Sequence, residues 1–258
     1  MNFLDRIVAR KREEIRTLHA SVSQDTLQSS MSSTPPVVPV KEFLRKQKRV
    51  IIAEIKRESP SKGVLDESLD PYSLAGEYTS AGASAISVLT DRDFFGGRPE
   101  DLQEARRGTG VPLLRKDFLL DELQVYESRS LGADVVLLIV RLLTPQQLAA
   151  LIAASRKLGM EPLVEVHTRD EVLRAVDSGA TLVGVNNRDL DTFELSLDTA
   201  IALRDSIPSN MFAVAESGIR SPAEARMMFD AGYDGVLIGE GLVKSGDRAA
   251  FIAEARRG

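Results

Sequence analysis

Residues 130–140 read SLGADVVLLIV. A helix-like segment ends in a glycine, and within a few residues an apolar, β-branched run begins. Gly132 stands where a helix closes on a left-handed residue, a conformation glycine adopts without steric penalty. The run from Val135 has no polar face, which suits a strand covered on both sides. The same phrase recurs as SAGASAISVLT (80–90), DSGATLVGVNN (177–187) and DAGYDGVLIGE (230–240), with Gly82, Gly179 and Gly232 in the equivalent place. Further strand candidates lie between the repeats: VIIAEIK (50–56), VPLLRKD (111–117), EPLVEVH (161–167) and FAVAES (212–217).

Strands are therefore predicted to begin near 50, 85, 112, 135, 162, 182, 212 and 236, each followed by a helical segment. Eight βα units fit a (β/α)8 TIM barrel, a fold of about 250 residues. The competing open doubly wound sheet has fewer strands and a glycine-rich first turn. No G-x-G-x-x-G follows the first strand here, so the barrel is the better reading. One domain is expected, with the barrel over residues 49–258 and residues 1–48 as a helical extension. In that extension Leu4, Ile7, Val8, Ile15 and Leu18 recur at helical spacing. A Ser- and Pro-rich connector around a short helix follows, and VKEFLRKQK (40–48) reads as another helix.

Bulk composition narrows the function classes. Of 258 residues, 43% are hydrophobic and 28% charged, as in ordinary globular proteins. A net charge of -5 argues against a nucleic-acid surface, which needs clustered Lys and Arg. There is no cysteine, hence no disulfide framework and no thiolate nucleophile. No stretch approaches the roughly 18 apolar residues of a membrane span, and the N-terminus lacks a signal-peptide core. A cytoplasmic protein is expected.

A barrel places its active site at the C-terminal ends of its strands. The polar residues obey that rule: Glu54 and Lys56 end the first strand, Lys116 the third, Glu165 the fifth, Asn186 and Arg188 the sixth, Glu216 and Ser217 the seventh. Residues two apart share a face, so Ile52, Glu54 and Lys56 point the same way. A single strand-end charge is ordinarily a solvated rim residue. Charges of both signs converging from several strands imply a shared pocket, although a structural ion network would also balance. Gly218, Gly239 and Gly241 lie just before helical segments in the last two βα loops, where backbone N–H groups can hold a phosphate. Glu240 is expected to turn outward there.

Other residues carry less. His167 is read as a loop hydrogen-bonder past its strand, and His19 as surface. Two isolated histidines without cysteine argue against a transition-metal site. Asp91, Arg92 and Asp93 are read as a solvated loop face. Phe94 and Phe95 could close over an aromatic ligand or simply pack the loop.

With these residues in view, IIAEIKRESPSKG (51–63) resembles the signature of the indole-3-glycerol phosphate synthase family of tryptophan biosynthesis. The likeness continues through SVLTDRDFFGG, LLRKDF, ADVVLLIV, LVEVH, GVNNRDL, AESGI and LIGEGLV, in the family's order, over essentially the whole chain. The resemblance implies a ring closure with loss of carbon dioxide and water from 1-(2-carboxyphenylamino)-1-deoxyribulose 5-phosphate, without cofactor or metal. It implies catalytic roles for Lys116, Glu165, Lys56, Glu54, Asn186, Glu216 and Ser217. Ser59, Ser87, Phe95, Phe118, Leu137, Arg188 and Leu190 would contact the substrate. Lys56, Ser59, Gly218, Gly239 and Glu240 would hold its phosphate. Lys116 or Lys56 would protonate the ketone oxygen. The only partner implied is this small molecule, with no nucleic acid or membrane, and the chain is expected as a monomer with a dimer possible. Glu58 and Arg98 depart from the family pattern, which bears on affinity. The rival readings are a phosphoribosyl anthranilate isomerase-like barrel and a non-catalytic sugar-phosphate binder.

Overall fold

Each strand of the barrel begins within a residue of its expected start. In the computed structural model, which describes residues 3–59, 63–64 and 69–257, they are β1 (Val50–Ile55), β4 (Ala85–Leu89), β5 (Leu113–Lys116), β6 (Val135–Ile139), β7 (Glu161–Val166), β8 (Leu182–Asn186), β9 (Phe212–Glu216) and β10 (Gly235–Ile238). All pair in parallel in chain order, and β1 closes the barrel by pairing with both β4 and β10. A two-stranded antiparallel ribbon, β2 (Glu58–Ser59) with β3 (Gly63–Val64), follows β1. The sequence there, SPSKG (59–63), reads as a turn that ends the first strand segment, and its residues 60–62 lie outside the described part.

Alternation along each strand divides the apolar residues in two. Ile51, Ala53, Val88, Val136, Val164, Val183 and Val236 face outward and pack under the surrounding helices. Val50, Ile52, Leu114, Leu137, Leu163, Val214 and Leu237 fill the barrel interior. Several of the surrounding helices start on short polar caps before proline: Asp70 on α4 (Pro71–Ser80), Thr144 on α7 (Pro145–Lys157) and Ser221 on α10 (Pro222–Asp230). The glycines that end the preceding helices, Gly82, Gly132, Gly179 and Gly232, have φ of 98°, 98°, 83° and 95°, the left-handed region their sequence position predicts.

The extension runs along the barrel from one end to the other. Helix α1 (Phe3–Ser21) sends Leu4 and Ile7 into the interior cluster at the C-terminal mouth. Helix α2 (Gln24–Ser30) packs Leu27 with Leu123 and Tyr126 of α6 (Glu122–Ser130). Helix α3 (Val40–Arg45) places Val40 and Leu44 in the same interior cluster, against Leu182 and Phe212 where β8 and β9 begin. Among the described residues no helix is long and apolar enough to cross a membrane.

Candidate active site

The interior-facing parity that buries Ile52, Leu114, Leu163 and Val214 continues to the mouth, where it delivers Glu54, Lys116, Glu165 and Glu216. Lys116 Nζ donates to Glu216 Oε2 at 2.8 Å and to Glu165 Oε2 at 3.2 Å. Asn186 Nδ2 donates to Glu165 Oε1 at 3.1 Å, so that carboxylate is held from both sides. Lys56 Nζ donates to Glu54 Oε1 at 2.6 Å. Four strands thus bring two ammonium groups and three carboxylates to one place.

A cavity opens above them. Glu54, Lys56, Lys116, Glu165 and Asn186 form its floor, and Phe95, Phe118, Leu137 and Leu190 its apolar wall. Phe95 and Phe118 lie with ring centroids 6.0 Å apart. Phe94 does not line the cavity; its ring packs edge-on against Phe3 at 5.4 Å. Arg188, Ser217, Gly218, Gly239 and Glu240 complete one side. Ser217 and Gly218 have φ of 64° and 83°, and a left-handed serine is a strained conformation that tends to mark functional sites.

A sequence model described as "Indole-3-glycerol phosphate synthase" matches residues 4–255. The chain belongs to this family. A relative of that name from Chloroherpeton thalassium is 43% identical, over 97% of this chain and 98% of its own. Another from Carboxydothermus hydrogenoformans is 44% identical over 95% and 96%. Among solved structures, 3-hexulose-6-phosphate synthase superposes with a TM-score of 0.65 at 16% identity, covering 81% of this chain and 98% of that one, which shows the shared fold alone. Family members of this name are lyases of tryptophan biosynthesis.

The carboxylates that share Lys116 sit in unequal environments. Burial alone would lower the Lys116 ammonium, but Glu216, Glu165 and Glu54 together raise its pKa. Burial alone would raise Glu165, yet Lys116, His167 and Asn186 bring it below the usual range. Glu216, fully buried and facing two other carboxylates, is pushed up to about 7 despite Lys116. Arg188 is lowered by burial, with Arg220 adding to the effect. Two groups therefore share one lysine while their proton affinities diverge.

Glycine makes this packing possible. A Cβ on Gly184 of β8 would meet Glu216 Oε1 at 1.9 Å, and one on Gly239 would meet Glu54 Oε1 at 2.5 Å. The glycine inside LVGVN was the visible signal, since a glycine within a strand marks close approach of another group.

The remaining expected residues fall as follows. Ser87 lies opposite Glu54 in the strand register, fully buried and outside the cavity lining. Glu216 likewise does not line the cavity and reaches it through Lys116. The side chain of Ser59 lies outside the described part. Gly241 does not precede its helix: it sits inside α11 (Glu240–Lys244), where a Cβ would press on the Ile219 carbonyl. Glu240 lines the cavity yet pairs with Lys244 at 2.6 Å and lies 3.9 Å from Arg220, so its charge is countered rather than turned fully away. Arg98 caps α5 (Pro99–Gly108), and neither it nor Glu58 lines the cavity.

The reading of the loop after the second barrel strand is corrected. Asp91 is not solvated: it is fully buried and pairs with Lys11 at 2.8 Å. His167 lies past its strand end and hydrogen-bonds Glu171 through Nδ1 at 3.3 Å, as expected, and it is buried between Glu165 and Glu171. Cavity residues that the sequence did not single out include Phe3, Phe193 and Arg220. Phe3 lies on the apolar face of α1, far in sequence from the mouth it covers, and Arg220 follows Gly218 by two residues in a loop whose path sequence does not give.

Proposed function

We propose that this cavity closes the indole ring of indole-3-glycerol phosphate. The substrate is 1-(2-carboxyphenylamino)-1-deoxyribulose 5-phosphate, and the observation that carries the reading is Lys116, held between Glu165 and Glu216 beneath an apolar wall. The substrate's ring lies against Phe95, Phe118, Leu137 and Leu190. Its carboxyl-bearing carbon attacks the ketone, and the developing oxyanion takes a proton from Lys116, the ammonium held by two carboxylates. Loss of carbon dioxide restores the aromatic ring. Glu165, oriented by Asn186, then assists departure of the hydroxyl as water. Lys56 stands by Gly239, since a Cβ there would lie 3.3 Å from its Nζ. We assign it, with Arg188 and the backbone of Gly218 and Gly239, to the phosphate. Three neighbouring carboxylates keep Lys116 protonated, which favours acid over Schiff-base chemistry.

The family's small-molecule biosynthetic chemistry supports a cytoplasmic setting, with neither nucleic acid nor membrane as partner.

The test is indole fluorescence on mixing the protein with this substrate. The chain contains no tryptophan, so product emission stands clear of its own. A rise is expected, and Lys116→Ala should reduce its rate by about 10³-fold or more, as loss of an acid and an electrostatic stabiliser together implies. A flat trace with measurable binding would instead mark a sugar-phosphate binding protein.

A further inference from the structure

Proton balance in the proposed ring closure, on which this inference rests, poses a problem of access. The trianionic substrate releases neutral carbon dioxide and water and leaves a dianionic product, so each turnover takes up one proton. Phe3 and Phe193, with ring centroids 4.8 Å apart, both line the cavity. With substrate in place beneath them, the mouth is a poor route for water to the floor.

A second cavity lies behind the floor. It has a volume of about 450 Å³ and is lined by His167, exposed Thr168, Asn187, Asp189 and Arg141. Asn186 lines both cavities, so it and Glu165 form part of the partition between them. His167 is 8% exposed and spans that partition. Its Nε2 lies 3.5 Å from Glu165 Oε1 and has no hydrogen-bond partner among the described residues. Its Nδ1 is 3.3 Å from Glu171 Oε2, which also accepts the His167 backbone N–H at 2.6 Å. Buried polar atoms are nearly always satisfied, so a free ring nitrogen aimed at the carboxylate proposed to expel the hydroxyl calls for an explanation.

We propose that His167 relays protons from this second cavity to Glu165. Starting from the Nε2–H tautomer, a hydronium ion or buffer acid in that cavity protonates Nδ1 by way of Glu171, and the imidazolium gives its Nε2 proton to Glu165 Oε1. Glu165 passes that proton to the departing hydroxyl. The ring is left as the neutral Nδ1–H tautomer. Once product has left and the mouth is open, Nδ1 returns its proton through Glu171 while solvent acid reprotonates Nε2, so the net uptake is one proton per turnover. The charged groups around the ring are Glu165 on its own strand, Glu171 on α8 (Arg169–Asp177), and Arg141, which pairs with Glu171 at 3.2 Å. Asp189 and Asp191 lie 3.3 and 3.6 Å from Arg141, and Lys116 stands beyond Glu165.

The test compares wild type with His167→Asn in single-turnover fluorescence, at low buffer and with imidazole added. His167→Asn should be roughly tenfold slower at low buffer, a smaller loss than the 10²–10⁴ expected for a group touching the reacting atoms. KM should stay within about twofold, the solvent deuterium isotope effect should rise, and imidazole should restore much of the rate. Glu171→Gln, which keeps an acceptor for the His167 backbone N–H, should show the same buffer dependence, and it serves should His167→Asn fail to fold. A variant as fast as wild type overturns the relay. So does a slow variant indifferent to imidazole and buffer, because His167 would then only position Glu165. Absence of product with wild type removes the ring closure itself, and is distinguished by the wild-type trace alone.

Discussion

Two buried lysines in this protein are built alike and serve different ends. Lys116 meets Glu165 and Glu216 at the barrel mouth, and Lys11 of α1 meets Asp117 and Asp91 at 2.7 and 2.8 Å, with Glu14 at 2.9 Å. Burial alone would lower Lys11, but its aspartates raise it, and Asp117 is held far below the usual carboxylate range by Lys11 and Arg115 despite burial. Asp117 also accepts from Thr90, Arg115 and the Phe118 backbone, so its oxygens are fully engaged. The two clusters differ in what surrounds them. Lys116 faces the cavity walled by Phe95, Phe118, Leu137 and Leu190, whereas Lys11 faces a groove lined by charged side chains such as Arg10, Arg92 and Asp93. Glu216 Oε1 has no hydrogen-bond partner among the described residues, while Asp91 Oδ2, also without one, is met by the Lys11 ammonium at 2.8 Å. Burial of charge is therefore common to both. An unmet carboxylate oxygen beside an apolar-walled cavity is what sets the proposed chemical site apart from the fastening.

Removing each lysine should separate the two roles. Lys11→Met leaves Asp91 buried without its cation and Asp117 with Arg115 alone; uncovering a buried charge in this way typically destabilises by about 3–5 kcal/mol. The loss should fall first on the docking of α1, since opening occurs in local units. Amide exchange in α1 should accelerate beyond that of the barrel strands. KM should rise because Phe3 and Ile7 line the cavity, while kcat should change far less than in Lys116→Ala. Unchanged α1 exchange in Lys11→Met would show that the apolar contacts of Leu4 and Ile7 hold the extension by themselves.

The same pair explains what could be seen in the sequence. The barrel was legible because its signals are local: a glycine, then a β-branched run, at near-regular intervals. Glu54, Lys56, Lys116, Glu165 and Glu216 were legible because strand parity and the barrel's geometry place strand-end residues together. Lys11 was not legible, standing in ARKREEIR among residues of its own kind. Its partners Asp91 and Asp117 lie some hundred residues away or less, in loops whose docking on α1 only the folded chain defines. His167 shares the parity of Glu165, yet the approach of Glu171 from the next helix turns a strand-end histidine into a buried one. Local pattern fixes faces and ends; pairing between loops requires the tertiary path.

A smaller effect should come from Glu216→Gln. The pKa of Glu216, raised to about 7 from a usual value near 4.5, means that the native state binds this proton more tightly than the unfolded chain does. Its favourable contribution is complete below about pH 4.5 and is lost as pH rises through about 7. Glu165, shifted downward, acts oppositely and outside this window: its contribution is present above the usual carboxylate range and is lost on acidification. Glu216→Gln should therefore remove a decline in melting temperature between pH 5 and 8, whatever constant offset the lost pairing with Lys116 introduces. Parallel curves for variant and wild type would show that Glu216 stays ionised throughout, and that the Lys116 cluster is as fully satisfied as the Lys11 one.

Glu14→Gln should have the least effect, and it tests the comparison from the other side. Glu14 is the third carboxylate on Lys11, but its side chain is 34% exposed, against 2% for Lys11. Coulomb attraction there is screened by water and salt, so loss of the charge should destabilise by about 0.2–1 kcal/mol. That small deficit should vanish at high salt, while the loss in Lys11→Met should persist because its aspartates are removed from solvent. A Glu14→Gln deficit approaching that of Lys11→Met would place the holding energy at the exposed edge. The buried aspartates would then be a desolvation burden carried by Glu14, and the likeness between the two lysine clusters would end at their composition.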